Sequence, residues 1–297
     1  MSVAVVVPVY NRPALVRRAL ASIAQQTHAA AQVIVVDDGS TDDTAASARA
    51  WLAEHAPFAW EVVTTPNGGP ASARNAGARL VDPAHEFIAF LDSDDEWPED
   101  FLAGCRAALA AHPEAVGAVA NRQTIRDGAP YAYDHMASFA ADPVLFVLEF
   151  GGGLVQCCVF RTRFYRLTGG FDSSWRTGED GKMLIGLAMW GPFVHSQGSP
   201  VLVHQRSSHG EGGDAQSISL ASARDFWIWA DQMDRMIAAL PREFRRQRYA
   251  TICFIMAGRW TYTRRLLREG GLKTLGYRAK WRKTLWTWRS RRHARAS

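Results

Sequence analysis

Short apolar runs recur through the first 120 residues, each followed by a polar loop and then a helix-like stretch. Val3 to Val9, Gln32 to Asp37, Trp60 to Thr65, Glu86 to Leu91 and Ala115 to Ala120 read as short buried strands. Pro13 to Gln26, Asp42 to His55, Pro70 to Leu80 and Pro98 to Ala111 read as helices. Pro13 and Pro70 suit the first helical position, and Thr41 is placed to cap the helix opening at Asp42. Strict alternation predicts an α/β fold: a mostly parallel sheet flanked by helices, with ligands bound beyond the carboxyl ends of the strands. The loops at those ends read YNRP, DDGSTDD, NGGPASARN and DSDDEW.

The alternation then breaks. Residues 121 to 153 read as an irregular insertion ending in Gly151-Gly152-Gly153, followed by a strand over Leu154 to Phe160 and a loop containing TGGFD. A helix is predicted from Glu179 to Met189, with further short strands to His204. After a Gly- and Ser-rich loop the pattern turns helical to the end. These shifts divide the chain into 1–120, 121–215 and a helical extension over 216–297.

Composition narrows the class. With 47% hydrophobic and 21% charged residues over 297 positions, the chain can bury a substantial core. It contains no 18-residue apolar run, and it enters a strand at Val3 without a basic, apolar leader, so a cytoplasmic protein is expected. Cys105, Cys157, Cys158 and Cys253 lack metal-ligand or disulfide spacing and read as buried thiols. The net charge of +5 hides an asymmetry: thirteen of 34 basic and one of 29 acidic residues lie from Arg259 onward, leaving −7 for residues 1 to 258. A basic tail on an acidic body suggests that the tail meets an anionic surface.

The densest chemistry lies in FLDSDDEW, where Asp92, Asp94, Asp95 and Glu96 fall within five positions. Two carboxylates about 4 Å apart repel by roughly 4 kcal/mol at an effective dielectric of about 20, so water or a cation must offset such a cluster. A solvated turn would do this, and so would a metal-bound diphosphate. Asp92 and Asp94 can share a divalent ion that takes its other ligands from phosphate and water, with Asp95 and Glu96 as outer-shell or helix-start acids. In DDGSTDD, Asp37 and Asp38 can accept an imide or amide N–H from a base, and Gly39 permits close backbone approach. A calcium EF-hand would need Gly where Trp97 stands. Neither GxGxxG nor GxxxxGK occurs. An apolar strand ending in DxD also suits a haloacid-dehalogenase-type phosphatase, but the position four after Asp92 is Glu96.

PVYNRP, VVDDGSTDDT, NGGPASARNAG and FIAFLDSDDEW, in this order and spacing, resemble the nucleotide-sugar half of family 2 inverting glycosyltransferases with the GT-A fold. The resemblance continues more weakly through GGFD and TGEDGKML to about residue 210. It implies an enzyme that moves a sugar from a nucleotide diphosphate to a hydroxyl acceptor, using Mn²⁺ or Mg²⁺, in cell-envelope or surface polysaccharide or glycolipid synthesis. By that resemblance Pro8, Val9, Tyr10, Asn11, Asp38, Arg74, Asn75, Asp92 and Ser93 surround the nucleotide. Asp94 and Asp92 take the metal. Asp180 is the catalytic base, with Glu179, Gly170 and Phe171 on the acceptor side. Read without the resemblance, Glu179 and Asp180 are acids complementing a helix dipole. A non-catalytic nucleotide-sugar-binding subunit is the alternative of another class.

His209, and after it His204, are candidates for a third metal ligand, and both also suit a polar loop. Trp97 and Trp175 suit either sugar stacking or core packing. The tail interleaves Trp281, Trp286 and Trp288 with Arg and Lys, as an interfacial helix on anionic lipid does. A solvated basic end accounts for it equally. Nucleic acid is not an expected partner, since no recognition module accompanies these residues.

Overall fold

The computed structural model describes residues 2–175, 178–205 and 235–247. The chain divides into two units, residues 1–220 and 221–297. In the first, β1 (Val3–Val9), β2 (Gln32–Asp37), β3 (Ala59–Thr64) and β4 (Phe87–Phe90) alternate with α1 (Pro13–Ala24), α2 (Thr44–His55), α3 (Pro70–Leu80) and α4 (Phe101–Ala111). The four strands lie in the order β3-β2-β1-β4, all parallel. Every residue of β1, VAVVVPV, is buried, as a strand covered on both faces requires. Pro8 fits this central strand for a local reason. The Val6 carbonyl accepts the Leu91 N–H at 3.1 Å, so Val6 faces β4. Pro8, two residues on, faces the same edge beyond the last β4 partner, Phe90 opposite Val6, where no donor is needed.

The other half of the sheet is built differently. β5 (Gly117–Arg126), β6 (Ala129–Asp134), β7 (Cys158–Arg161) and β8 (Phe193–Gln205) complete eight strands. β7 joins the halves, running antiparallel to β4 and to β5. β8 runs parallel along β5 from Gly117 to Arg126. A strand has two edges, so β7 and β6 share the remaining one end to end, β7 over Gly117 to Val119 and β6 from Arg122 onward. Four of the seven pairings are parallel, which makes the sheet mixed but mostly parallel, as expected.

Several sequence expectations need correction. Residues 121 to 153 are regular: the end of β5, β6, and the helices α5 (Ala137–Ala141) and α6 (Pro143–Phe150). Asp127 and Gly128 turn the hairpin with φ of 50° and 81°, the left-handed pair that suits a two-residue turn between twisted strands. Leu154 to Phe160 is not one strand, because Val155–Cys157 forms a 3-10 turn before β7. The short strands expected up to His204 are the single β8, whose polar SQGSP centre conceals its continuity where the pairing register shifts. Thr41 does not cap a helix. Its N–H bonds Asn11 Oδ1 at 2.9 Å, and α2 opens at Thr44, whose N–H bonds Asp42 Oδ1 at 3.0 Å. Residues 98 to 100 precede α4 rather than open it.

α7 (Thr162–Leu167) and α8 (Glu179–Ala188) follow β7. Cys105, Cys157 and Cys158 are free and buried, and burial pushes the Cys105 thiol up to about 12. In the second unit α9 (Arg242–Gln247) lies among the described residues. Cys253, His209, the basic tail and most of the 216–297 extension lie outside them. Among the described residues, no helix is long and apolar enough to cross a membrane.

Candidate active site

Four parallel strands end on one edge of the sheet, and the loops beyond them are tied to one another. From the β1 loop, the Asn11 N–H donates to Ser40 Oγ at 2.9 Å, and Asn11 itself takes a positive φ of 50°. From the β2 loop, both Asp38 oxygens accept backbone N–H groups, from Gly68 and Gly69, each at 2.8 Å. Burial raises the Asp38 pKa despite these donors. Its carboxylate fastens the third loop to the second. Pro8 and Val9 are buried within β1, Tyr10 is half-buried, and Ser93 is buried at the β4 end.

The acidic turn is held by arginines. Arg12, in YNRP, reaches Asp94 Oδ2 at 2.7 Å. Arg18 of α1 donates to the Asp94 carbonyl at 2.6 Å and lies 3.2 Å from Glu96. Arg74 of α3 reaches Asp92 Oδ1 at 2.6 Å. Three guanidinium groups therefore supply much of the positive charge that the acid spacing demands. Asp95 and Glu96 are not helix-start acids. Asp95 accepts the His204 N–H at 2.9 Å, and Glu96 meets His204 Nε2 at 2.7 Å, fixing the turn to β8. Burial first, then Asp94 and Asp92, push the Asp95 carboxyl well above its usual range. Trp97 belongs to the core. It stacks on Phe101 with ring centroids 4.4 Å apart, and its indole N–H donates to the Gln156 carbonyl at 2.7 Å. Trp175 is likewise buried, with Lys182 5.0 Å from its ring.

Arg74 also reaches Glu179 Oε1 at 3.0 Å, joining the acidic turn to the start of α8. It is only 5% exposed. Burial works against its charge, but Asp92 and Glu179 together outweigh that and raise its pKa. Burial, then Asp180, raise the Glu179 pKa, while Arg74 opposes them. Asp180 stands beside Glu179 in the first turn of α8, its carboxylate accepting N–H groups from Gly181 at 2.8 Å and from Gly153. The structure thus brings Asp92, Arg74, Glu179 and Asp180 together. Asn75 serves another purpose: it donates to the Phe171 carbonyl at 2.7 Å and accepts the Phe171 N–H at 2.9 Å. Gly170 and Phe171, expected on the acceptor side, are packed against Asn75 and Phe90.

Asp92 and Asp94 pass the test of fitting a divalent ion. The second oxygen of each carries no ion pair among the described residues, and these are hard donors of the kind Mg²⁺ and Mn²⁺ take. Burial first, and the neighbouring Asp92, raise the Asp94 pKa, so added positive charge is favourable there. The described residues hold no group of three or more acidic, His or Cys side chains able to bind a metal, so an ion would draw its remaining ligands from elsewhere. His209 lies outside the described residues. Sequence reading missed Arg12, although it sits in YNRP, and also Gln156 and the arginines Arg18 and Arg122, whose carboxylate and backbone partners lie 12 to 78 residues away.

A succinoglycan biosynthesis protein, ExoW of Rhizobium meliloti, is 44% identical over 99 residues, which are 33% of this chain and 31% of that protein. The chain spans about a third of the length of the curated relatives it matches. Staphylococcus aureus TarS, solved with UDP-GlcNAc, matches with a TM-score of 0.67 and 20% identity over 85% of this chain and 72% of that one. The mannosyltransferase PcManGT of Pyrobaculum calidifontis, solved with GDP-Man and Mn²⁺, matches with a TM-score of 0.52 and 19% identity over 95% and 79%. These likenesses establish the GT-A fold. The family model itself aligns over residues 4–167, from the first strand to the end of α7 and across every loop of the acidic rim, and on that match the chain belongs to glycosyl transferase family 2.

Proposed function

We propose that the chain transfers a sugar from a nucleotide diphosphate to a hydroxyl acceptor with inversion at the anomeric carbon. One observation carries this reading: Arg74 bridges Asp92 and Glu179, so the acidic turn and the α8 carboxylates share one buried cation. In the transfer the acceptor oxygen bonds the anomeric carbon while the bond from that carbon to the diphosphate oxygen breaks. The nucleoside diphosphate leaves with the electron pair, and Asp180 takes the acceptor proton. Asp92 and Asp94 would hold the Mn²⁺ or Mg²⁺, whose chemistry is to neutralise charge on the departing diphosphate. Arg12 and Arg74 orient those carboxylates, and the β1, β2 and β3 loops frame the nucleoside.

The ExoW relative supports an acceptor in envelope or surface polysaccharide synthesis, either a glycan or a lipid-linked hydroxyl. UDP- and GDP-sugars are the donors to try, since the structural neighbours were solved with one of each. The test measures nucleoside diphosphate release from such a panel with Mn²⁺, offering oligosaccharide and lipid-linked acceptors in parallel. Asp180→Asn should lower transfer by about 10² to 10⁴-fold while leaving metal-dependent nucleotide binding in place. Asp94→Ala, or a chelator, should remove both. Full transfer by Asp180→Asn would contradict the assignment of the base, and nucleotide binding indifferent to chelator would contradict that of the metal.

A further inference from the structure

Asp180 carries a second, less visible network, whose catalytic meaning rests on the proposed role of Asp180 as the base. Asp180 is 7% exposed, and its carboxylate is held by two backbone amides, those of Gly181 and Gly153. Gly153 is gripped on its other side, where its carbonyl, in the following peptide, accepts Arg122 Nη1 at 3.1 Å and Gln156 Nε2 at 3.2 Å. Arg122 is fixed in turn by its Nε, which donates to Asp134 Oδ2 at 2.8 Å across the β5–β6 hairpin. Gln156 is fixed through its own carbonyl, which accepts the indole N–H of Trp97, one residue past the acidic turn.

The glycines make this approach possible. A methyl at position 152 would fall inside the Asp180 carboxylate, so only glycine lets the chain pass. Gly153 takes a φ of 78°, the left-handed region that a side chain disfavours. A carboxylate has about four lone-pair sites, and two amide donors fix its rotation while leaving others for an incoming proton. Arg122 does not touch the carboxylate; it holds the carbonyl of the glycine whose N–H does.

We propose that Arg122, acting through Gly153, is the positioning residue that sets the Asp180 carboxylate for proton abstraction. Hydrogen–deuterium exchange on the full chain tests this without substrate. Arg122→Ala should speed exchange about tenfold or more in peptides spanning 151–157 and 178–183, with β1 and β4 peptides unchanged. Arg122→Lys, which keeps a donor, should restore most of the protection. Gly152→Ala should show the same local loosening by displacing Asp180 directly.

With UDP-N-acetylglucosamine and Mn²⁺, Arg122→Ala should lower kcat about 10- to 100-fold with little change in donor KM, the signature of a misplaced reacting group. In an Asp180→Asn background it should cost nothing further. Unchanged exchange over 151–157, or an equal loss in that background, would overturn the proposal. If wild-type protein releases no nucleoside diphosphate from any UDP- or GDP-sugar of the panel, the exchange result alone decides the positioning, and the transferase reading fails separately.

Discussion

The donor half, β1 to β4, and the half built on β5 to β8 anchor their arginines differently. Around the donor rim, Arg12, Arg18 and Arg74 reach carboxylates of the acidic turn. In the other half Arg161 and Arg122 divide their guanidinium groups between one carboxylate and the backbone. Arg161 pairs with Glu86 and donates to the Leu109 and Ala115 carbonyls, and Arg122 pairs with Asp134 and donates to that of Gly153. Charge answering charge keeps a rim of acids folded before any ligand arrives, whereas backbone hydrogen bonds fix geometry without adding field. Two neighbours on α3 join the halves by these two methods. Arg74 crosses by charge to Glu179, and Asn75 by amide to the Phe171 backbone.

The charged crossing gives the largest expected effect. Arg74→Met keeps the side-chain bulk but leaves Asp92 and Glu179 without their shared partner. Breaking a buried ion pair from one side costs about 3–5 kcal/mol, and thermal melts should show a correspondingly large fall in Tm. A loss below about 1 kcal/mol would mean that solvent already screens the rim, and the contrast between the halves would dissolve.

The neutral crossing should cost less. Asn75→Ala leaves the Phe171 N–H, buried beside Phe90, without a partner, a loss of about 1–3 kcal/mol. Because no charge is stranded, the loss should be insensitive to salt, unlike that of Arg74→Met. Chemical denaturation of both variants at low and high ionic strength separates the two mechanisms.

The same contrast explains what could be read from sequence. β1 and β2 match their predicted bounds because each is a short run with an apolar centre closed by a polar loop, and α3 is framed by Pro70. The acidic turn was visible as chemistry, but its arginines were not, since Arg74 lies 18 residues from Asp92 and 105 from Glu179. In the second half the hairpin was disguised. Among the described residues β6 pairs only with β5, and its residues are exposed or half-buried. The Asp127-Gly128 turn was the available signal. The three glycines at 151 to 153 looked like the end of an insertion, and only contact with Asp180, 27 residues on from Gly153, gives them a purpose.

The smallest effect comes from a charge pair placed outside the buried rim. Asp172, next to the Phe171 that Asn75 holds, bonds Lys182 of α8, and the two side chains are 31% and 41% exposed. The Lys182 bond, helped by Ser174, holds the Asp172 carboxyl down to about 2, against an ordinary 3.8. A lowered carboxylate pKa adds stability above the unfolded value and loses it as pH falls through the folded one. The pair should therefore contribute fully at pH 7 and lose its worth between about pH 4 and pH 2. Solvent screening limits that worth to less than about 1 kcal/mol. Asp172→Asn should lower Tm slightly at pH 7, and the gap from wild type should narrow at pH 3. A gap as large as that of Arg74→Met would show that exposed and buried charge do the same work here, and the distinction between rim and surface would fail.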